Sequence, residues 1–167
     1  ISSAIYVFND INDVENDRKH EIKKNRPIAS GQISFPKAWV LLVCLTIIGL
    51  GIAVLVNIYS FLLIVAYVFI NVLYSKWLKT KAVIDCFCIA IGFILRVMVG
   101  GTIVTAGVSN WMFLTVLALS LFMAFGKRRG ELSSYAGGET RTVLDMYDLN
   151  FLNGIVFMCA GLSLIHI

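Results

Sequence analysis

Five apolar runs, separated by short polar segments, make up most of the chain. They cover residues 36–56, 58–74, 82–104, 111–126 and 151–167. A helix needs about 20 residues to cross a hydrocarbon core roughly 30 Å thick, and the first and third runs are long enough. The second and fourth are shorter and would depend on flanking polar residues or a thin bilayer. Because the runs lack the alternation of barrel strands, each of them predicts a membrane-spanning helix.

Composition leads to the same fold class. Of the 167 residues, 59% are hydrophobic and 14% are charged, whereas a soluble domain is about 45–50% apolar and about 25% charged. These values exclude a soluble globular domain and a disordered chain. We therefore predict an all-α fold, a polytopic transmembrane helical bundle that forms a single domain over residues 1–167. The chain begins with Ile1 and ends within an apolar run, so we expect a fragment truncated at both ends.

Charge is distributed unevenly between the connections. Thirteen of the 14 Lys and Arg residues lie in or beside polar segments at about 10–35, 75–81 and 127–149. The connections at 57 and 105–110 carry no charge. The positive-inside rule then places the basic segments in the cytoplasm and predicts a multi-pass protein of the cell membrane. Most acidic residues share that side, which indicates a polar site there.

The first polar segment contains an acidic motif followed by basic residues. Asp10, Asp13 and Asp17 are spaced three and four residues apart, so they lie on one face of a helix. Three carboxylates repel one another without a cation, and oxygen ligands of this kind suit Mg²⁺ bound together with substrate phosphates. Lys24 and Arg26 follow and would clamp a diphosphate. The alternative is a solvated helix end of mixed charge.

Two motifs in this segment resemble those of a known family. The pattern N-D-x-x-D-x-x-x-D begins at Asn9, and N-R-P-I-A-S-G begins at Asn25. Together they are similar to the paired motifs of the UbiA superfamily of intramembrane transferases. The resemblance implies that Asp10, Asp13 and Asp17 are catalytic metal ligands for Mg²⁺ and that Asn9 contacts substrate. It also implies that the five runs are helices three to seven of the family fold.

The second polar segment closes the second run with the sequence Y-S-K-W-L-K. It resembles a loop that family members place over the substrate diphosphate, which implies substrate contacts for Tyr74 and Lys79. A Tyr hydroxyl and a Lys ammonium both donate to phosphate oxygens. The alternative is anchoring at the membrane interface, where Tyr and snorkelling Lys are common.

Two ionisable residues lie within the third run. Asp85 and Arg96 are 11 residues apart, which places them on one helix face but about 16 Å apart along the axis. Charges inside a span are costly and usually face the bundle interior. Asp85 lies nearer the cytoplasmic end and is the better candidate for substrate binding. Arg96 is expected to be structural, bonded to carbonyl groups, with a substrate contact as the alternative.

The third polar segment begins with G-K-R-R-G-E-L at Gly126. Prenyl-transferring members of the superfamily usually carry a second D-x-x-x-D there, and this chain does not. The segment instead resembles the branch that transfers phosphoribosyl groups. That resemblance implies that Lys127 and Arg128 meet phosphate and that Glu131 meets a metal, a ribose hydroxyl or a neighbouring cation. A positive-inside loop would explain the basic residues but leaves Glu131 unexplained.

The resulting hypothesis is an Mg²⁺-dependent transferase. The resemblance implies transfer of the 5-phosphoribosyl group from phosphoribosyl diphosphate to a polyprenyl (decaprenyl) phosphate, with release of diphosphate. The first alternative is a prenyltransferase that joins a prenyl diphosphate to an aromatic or other small acceptor. A membrane transporter is the remoter alternative, because transport sites tend to lie near the bilayer midplane. We expect the membrane and these substrates as partners, and no nucleic acid.

Overall fold

The computed structural model describes residues 1–20, 22–104, 107–134 and 144–165. Within these residues the chain is helical and contains no strand. The α-helices are α1 (Ser2–Asn12), α2 (Val14–Lys19), α3 (Phe35–Val56), α4 (Ile58–Lys76), α5 (Ile84–Ile103), α6 (Asn110–Ser134) and α7 (Leu149–Ile165). Short 3₁₀ helices cover Lys23–Asn25, Leu78–Thr80 and Leu144–Met146. Glu21, Glu139 and Arg141, which the charge pattern placed on the cytoplasmic side, lie outside the described residues.

Four helices, α3 to α6, are long and apolar enough to cross a membrane. The fifth, α7, is apolar but has 17 residues. The predicted all-α transmembrane class is therefore confirmed. The faces of α3 are mostly uncovered, and apolar side chains such as Ile47 and Leu55 are exposed. Such a surface is what a lipid-facing helix requires, since hydrocarbon solvates it as well as a protein interior would.

The fourth predicted span, which ends with the apolar run at residue 126, is too short. Helix α6 continues to Ser134, about two turns past the apolar run. Lys, Arg, Glu and Leu are strong helix formers, so the polar segment propagates the helix despite Gly130. Arg128 and Glu131 also form an ion pair one turn apart, which supports the helix further. The polar stretch at 10–35 likewise contains the end of α1 and all of α2.

The chain divides into two compact units, Ile1–Val68 and Phe69–Ile167. In the first unit, α1 packs on α3 and α2 packs against the 3₁₀ helix at Lys23–Asn25. In the second unit, α6 packs between α5 and α7. Each unit has a small apolar cluster of buried residues. The first consists of Ile11, Val14, Ile28, Ala29 and Ala38, and the second of Cys86, Ala124, Phe125, Tyr147 and Leu152.

We predict that Leu152→Ala destabilises the second unit, because Leu152 is fully buried in its apolar cluster. The expected loss in the free energy of unfolding is about 2–5 kcal/mol. Leu164→Ala on the same helix is the matched control, since Leu164 is 73% exposed. Denaturant unfolding in detergent measures both variants. Equal losses would contradict the packing of α7 described here.

Candidate active site

The acidic motif lies where α1 and α2 meet. Asp13 sits between them with φ −99° and ψ 7°, in the sparsely populated bridge region. The backbone hydrogen bonds nevertheless continue through this corner, because the amide of Asp13 donates to Asn9 O and that of Asp17 donates to Asp13 O. The chain thus keeps helical phase across the corner. The predicted single helix is two helices in nearly continuous register.

Arg26 joins two of the three aspartates. Its Nη1 atom lies 2.8 Å from Asp10 Oδ1 and 2.8 Å from Asp17 Oδ2. The Asp17 side chain is 6% exposed and that of Asp10 is 28% exposed. Oxygens from two carboxylates therefore converge on one cationic atom. We call Asp10, Asp13, Asp17 and Arg26 the acidic corner.

The segment after α2 folds back and carries Arg26 to the acidic corner. Arg18 Nε donates to Ala29 O at 3.2 Å, and the amide of Ile33 donates to Pro27 O at 2.9 Å. Gly31 closes the turn with φ +82°, a conformation that glycine adopts without a side-chain clash. The N-R-P-I-A-S-G motif is thus a compact turn whose geometry places the guanidinium over the carboxylates.

Burial changes the acid–base properties of the acidic corner. Asp10 lies outside the four candidate spans, and burial raises the pKa of its carboxyl above the usual range. Arg26 opposes this rise, while the charges of Asp17 and Asp13 add to it. The raised pKa indicates that the attraction of Arg26 does not fully offset burial and like-charge repulsion. Additional positive charge at this corner would therefore stabilise the ionised carboxylates.

The acidic corner fits a magnesium ion shared with a phosphate ligand. No group of three His, Cys, Asp or Glu side chains in the described residues is arranged as a complete metal cage. Mg²⁺ needs less, since it usually takes one or two carboxylates together with water and substrate phosphates. The convergent oxygens of Asp10 and Asp17 meet that requirement. Asn9, next to Asp10 in the chain, adds a buried Oδ1 atom that has no hydrogen-bond partner among the described residues, an oxygen of the type that Mg²⁺ prefers.

The remaining predicted residues of the first two polar segments differ in burial. Lys24 is exposed on the 3₁₀ helix beside Arg26. Tyr74 lies near the end of α4, and Lys79 lies in the 3₁₀ helix Leu78–Thr80. Both are half-buried. That 3₁₀ helix packs against α5, so Lys79 is held beside the helix that carries Asp85.

A second polar cluster, entirely within the second unit, connects α5 and α6. Arg128 Nε donates to Asp85 Oδ2 at 2.6 Å, and Arg128 Nη1 donates to Glu131 Oε2 at 2.6 Å. Asp85 is 0% exposed and Arg128 is 2% exposed. Three residues predicted separately are thus brought together, and the partner of Glu131 is a neighbouring cation. Lys127 is exposed, because adjacent helical residues point about 100° apart.

Arg96 does not share the environment of Asp85. It is exposed on α5, with its guanidinium carbon 5.3 Å from the centre of the Phe93 ring. This distance is typical of a cation–π contact. Asp85 is therefore buried as expected, whereas Arg96 is exposed in the described part of the chain, and its expected structural role stays a prediction. The helical period places both on one face but does not determine which part of that face a neighbouring helix covers.

Tyr147 completes the second cluster and was missed by the sequence reasoning. Its hydroxyl donates to Asp85 Oδ1 at 2.8 Å and accepts from the Val83 amide at 2.6 Å. Burial raises the pKa of Tyr147 well above its usual range, so the hydroxyl stays protonated and donates at neutral pH. These contacts join residues more than 60 positions apart. No local pattern around Tyr147 indicates them. We call Asp85, Arg128, Glu131 and Tyr147 the Asp85 cluster.

The model of the UbiA prenyltransferase family matches residues 1–129. This chain belongs to the UbiA prenyltransferase family. The match covers the acidic corner and extends to Arg129, in the polar end of α6. The resemblance inferred from the two motifs is thereby confirmed.

Curated relatives match nearly the whole chain. The decaprenyl-phosphate phosphoribosyltransferase of Corynebacterium glutamicum is 35% identical over 163 residues, which cover 95% of this chain and 49% of that protein. The protein of the same name from Mycolicibacterium smegmatis is 34% identical over 153 residues, or 90% of this chain and 48% of that protein. A digeranylgeranylglyceryl phosphate synthase of Sulfurisphaera tokodaii is 31% identical over 117 residues, which cover 70% of this chain and 41% of that protein. The chain spans about half the length of these relatives.

A solved structure shows the same fold. It is a UbiA homolog from Archaeoglobus fulgidus bound to DMAPP and Mg²⁺, and it superimposes with a TM-score of 0.79. The likeness covers 98% of this chain and 59% of that one, at 20% sequence identity. The helical architecture is therefore that of the family, although few of the residues are shared.

We predict that Arg26→Gln lowers Tm by about 2–4 °C, corresponding to a loss of about 1 kcal/mol. The variant leaves Asp10 and Asp17 without their shared cation. Added MgCl₂ should raise Tm more in this variant than in the unmodified protein, because the carboxylates are then open to the metal. Thermal unfolding in detergent, with and without magnesium, measures both effects.

Lys19→Gln is the control for Arg26→Gln, because it removes one exposed positive charge from α2. Its response to magnesium should equal that of the unmodified protein. An equal response in Arg26→Gln would show that the two carboxylates do not bind the cation.

Proposed function

We propose that this chain belongs to an Mg²⁺-dependent membrane transferase that moves the 5-phosphoribosyl group from phosphoribosyl diphosphate to a polyprenyl (decaprenyl) phosphate. Diphosphate is released. The observation that carries the reaction class is the convergence of Asp10 and Asp17 on one cationic atom. The choice of donor rests on the similarity to phosphoribosyltransferases over at least 90% of the chain, and on the G-K-R-R-G-E-L segment.

The residues of the acidic corner have distinct roles in this proposal. Asp10, Asp13 and Asp17 are the ligands of the metal and are the residues we assign as catalytic. Bound Mg²⁺ supplies positive charge to the leaving diphosphate. Asn9 contacts the same group through the N–H groups of its side-chain amide, which donate to phosphate oxygens. Arg26 donates to a diphosphate oxygen and so neutralises charge as it develops.

Basic and hydroxyl side chains outside the acidic corner complete the proposed binding of phosphate. Lys24 and Lys127 are exposed and provide positive charge to incoming anions. Tyr74 and Lys79 donate hydrogen bonds to phosphate oxygens. We also assign Asp85, Arg128 and Glu131 to donor binding. Asp85 and Arg128 are buried and paired, so Glu131, with 25% of its side chain exposed, is the member that meets the donor.

The chemistry needs no strong general base. The anomeric carbon of the donor gains positive character as its bond to the diphosphate lengthens, and an oxygen of the lipid phosphate attacks it. A phosphate is ionised at neutral pH, so no proton has to be removed from the nucleophile. We propose that the basic segments face the cytoplasm of the cell, which supplies the water-soluble donor, while the membrane supplies the lipid acceptor.

A prenyltransferase is the second candidate. A relative named digeranylgeranylglyceryl phosphate synthase and a fold neighbour bound to DMAPP support it. Both candidates require a metal-bound diphosphate and differ in whether a sugar or a prenyl group is transferred. The named transferases among the relatives argue against the transporter alternative.

A comparison of the two donors in separate assays decides between the two candidates. The intact protein in detergent is given labelled phosphoribosyl diphosphate with decaprenyl phosphate, or a labelled prenyl diphosphate with an aromatic acceptor. We expect labelled lipid product with the first pair alone, and loss of that product when EDTA removes magnesium. Turnover of only the prenyl donor would establish the alternative in place of our proposal.

We predict that Asp13→Asn reduces metal-dependent turnover by roughly 100-fold or more, because it removes one of three carboxylates assigned to the metal. Membrane insertion should be unchanged. Glu15→Gln is the matched control, since Glu15 is an exposed acid on the adjacent helix, and it should retain activity. Initial rates at saturating magnesium measure both variants, and full activity of Asp13→Asn would exclude its role as a ligand.

A further inference from the structure

Arg26 is bound to the two carboxylates that the proposed function assigns to the metal. Its Nη1 atom lies 2.8 Å from Asp10 Oδ1 and 2.8 Å from Asp17 Oδ2. A guanidinium and a divalent cation held by the same carboxylates would lie close together and repel each other. Arg26 and magnesium therefore compete for Asp10 and Asp17.

The contacts of Arg26 are of a kind that another cation can replace. The hydrogen bonds from its side chain to the described residues all leave from Nη1. The strongest pairs between arginine and a carboxylate instead use two parallel N–H groups on one carboxylate. The Arg26 side chain is also 41% exposed, and ion pairs open to water add little stability. Displacing the guanidinium from the acidic corner therefore costs little.

The backbone around Arg26 is fixed, so only the side chain has to move. The Arg26 amide donates to Lys23 O at 3.0 Å, and the Arg26 carbonyl accepts from the Ser30 amide at 2.8 Å. Gly31 completes this turn with φ +82°. Rotation about side-chain bonds can carry the guanidinium off the carboxylates while the turn keeps it beside the acidic corner.

We infer that Arg26 is the cation of the acidic corner until magnesium binds, and that it then transfers from Asp10 and Asp17 to the diphosphate. This inference rests on the proposed function, in which the aspartates hold the metal and Arg26 donates to a diphosphate oxygen. Arg26 fills these two positions in turn, because its ion pairs with the aspartates use the oxygens that the metal needs. The exchange makes the binding of metal and diphosphate cooperative.

Arg26 opposes binding of magnesium alone and assists binding of magnesium with diphosphate. With magnesium alone, Arg26 loses both ion pairs and its guanidinium is left to water. A bound diphosphate gives the guanidinium a new charged partner, since its planar fork matches phosphate oxygens. Coupling between two binding events is reciprocal, so each ligand raises the affinity for the other. The site therefore favours the metal when the diphosphate group is present.

Arg26→Gln should change two affinities in opposite directions. Calorimetry on the intact protein in detergent measures binding of MgCl₂ alone, and then binding of inorganic diphosphate at saturating magnesium. We expect Arg26→Gln to tighten magnesium binding about 5-fold, because the competing ion pairs are lost. The same variant should weaken diphosphate binding about 10-fold, the size of one hydrogen bond to a charged group. A variant that only damaged the fold would lose affinity for both ligands.

Two further variants separate the exchange from the loss of positive charge. Lys19→Gln removes an exposed charge from α2 and should leave both affinities unchanged. Arg26→Lys keeps the charge, and its single nitrogen can replace Nη1 between the carboxylates, so magnesium affinity should be retained. Lysine lacks the planar fork, so diphosphate binding should weaken. If Arg26→Gln does not fold, this split in Arg26→Lys is the test, and equal losses of both affinities would refute the exchange.

The remaining outcomes bear on different parts of the argument. Magnesium affinity that is unchanged or weaker in Arg26→Gln would refute the exchange and leave the proposed function intact, as would unchanged diphosphate affinity. If neither the unmodified protein nor the variant binds magnesium or diphosphate, the proposed function falls together with this inference.

Discussion

Asp85 and Arg128 are buried together in a chain that is 59% hydrophobic, and they form an ion pair with each other there. The intact pair adds little net stability, but removing either partner would leave a buried charge uncompensated at a cost of about 3–5 kcal/mol. The same requirement explains why Glu131 and Tyr147 join the pair. Every polar atom brought into this interior needs a partner, and Asp85 finds its partners Arg128 and Tyr147 at distances of 43 and 62 residues along the chain.

The acidic corner satisfies the same requirement nearer the surface. Asp10 and Asp17 share one helical face, and one nitrogen of Arg26 bridges them. An arrangement in which two carboxylates share one cation is also an arrangement in which one cation can replace another. Arg26 thus holds the two carboxylates in an arrangement that suits a cation. The compact turn of the N-R-P-I-A-S-G motif keeps Arg26 in place.

The apolar surface of the spans has a different role. Side chains on α3 such as Ile47 and Leu55 are largely exposed. In a bilayer this exposure costs nothing, because lipid is as apolar as the side chains themselves. The exposed faces of the described spans are thus of a kind that lipid solvates without cost.

Hydropathy and local spacing were sufficient for much of this description. The apolar runs predicted the spans, because a helix surrounded by lipid needs an apolar side chain at almost every exposed position. The acidic motif and the motif that begins at Asn25 identified the family. The pairing of Arg26 with Asp10 and Asp17 lies within a 16-residue separation, so the sequence placed its members in one segment.

Tertiary structure decided the contacts that join distant segments. Arg128 meets Asp85 across 43 residues, and Tyr147 meets Asp85 across 62. It also decided that α6 continues to Ser134 and that Arg96 stays exposed while Asp85 is buried. Helical periodicity states which residues share a face, but only the packing of neighbouring helices determines which part of that face is covered. Hydrogen bonds between helices depend on that packing and leave no trace in local sequence.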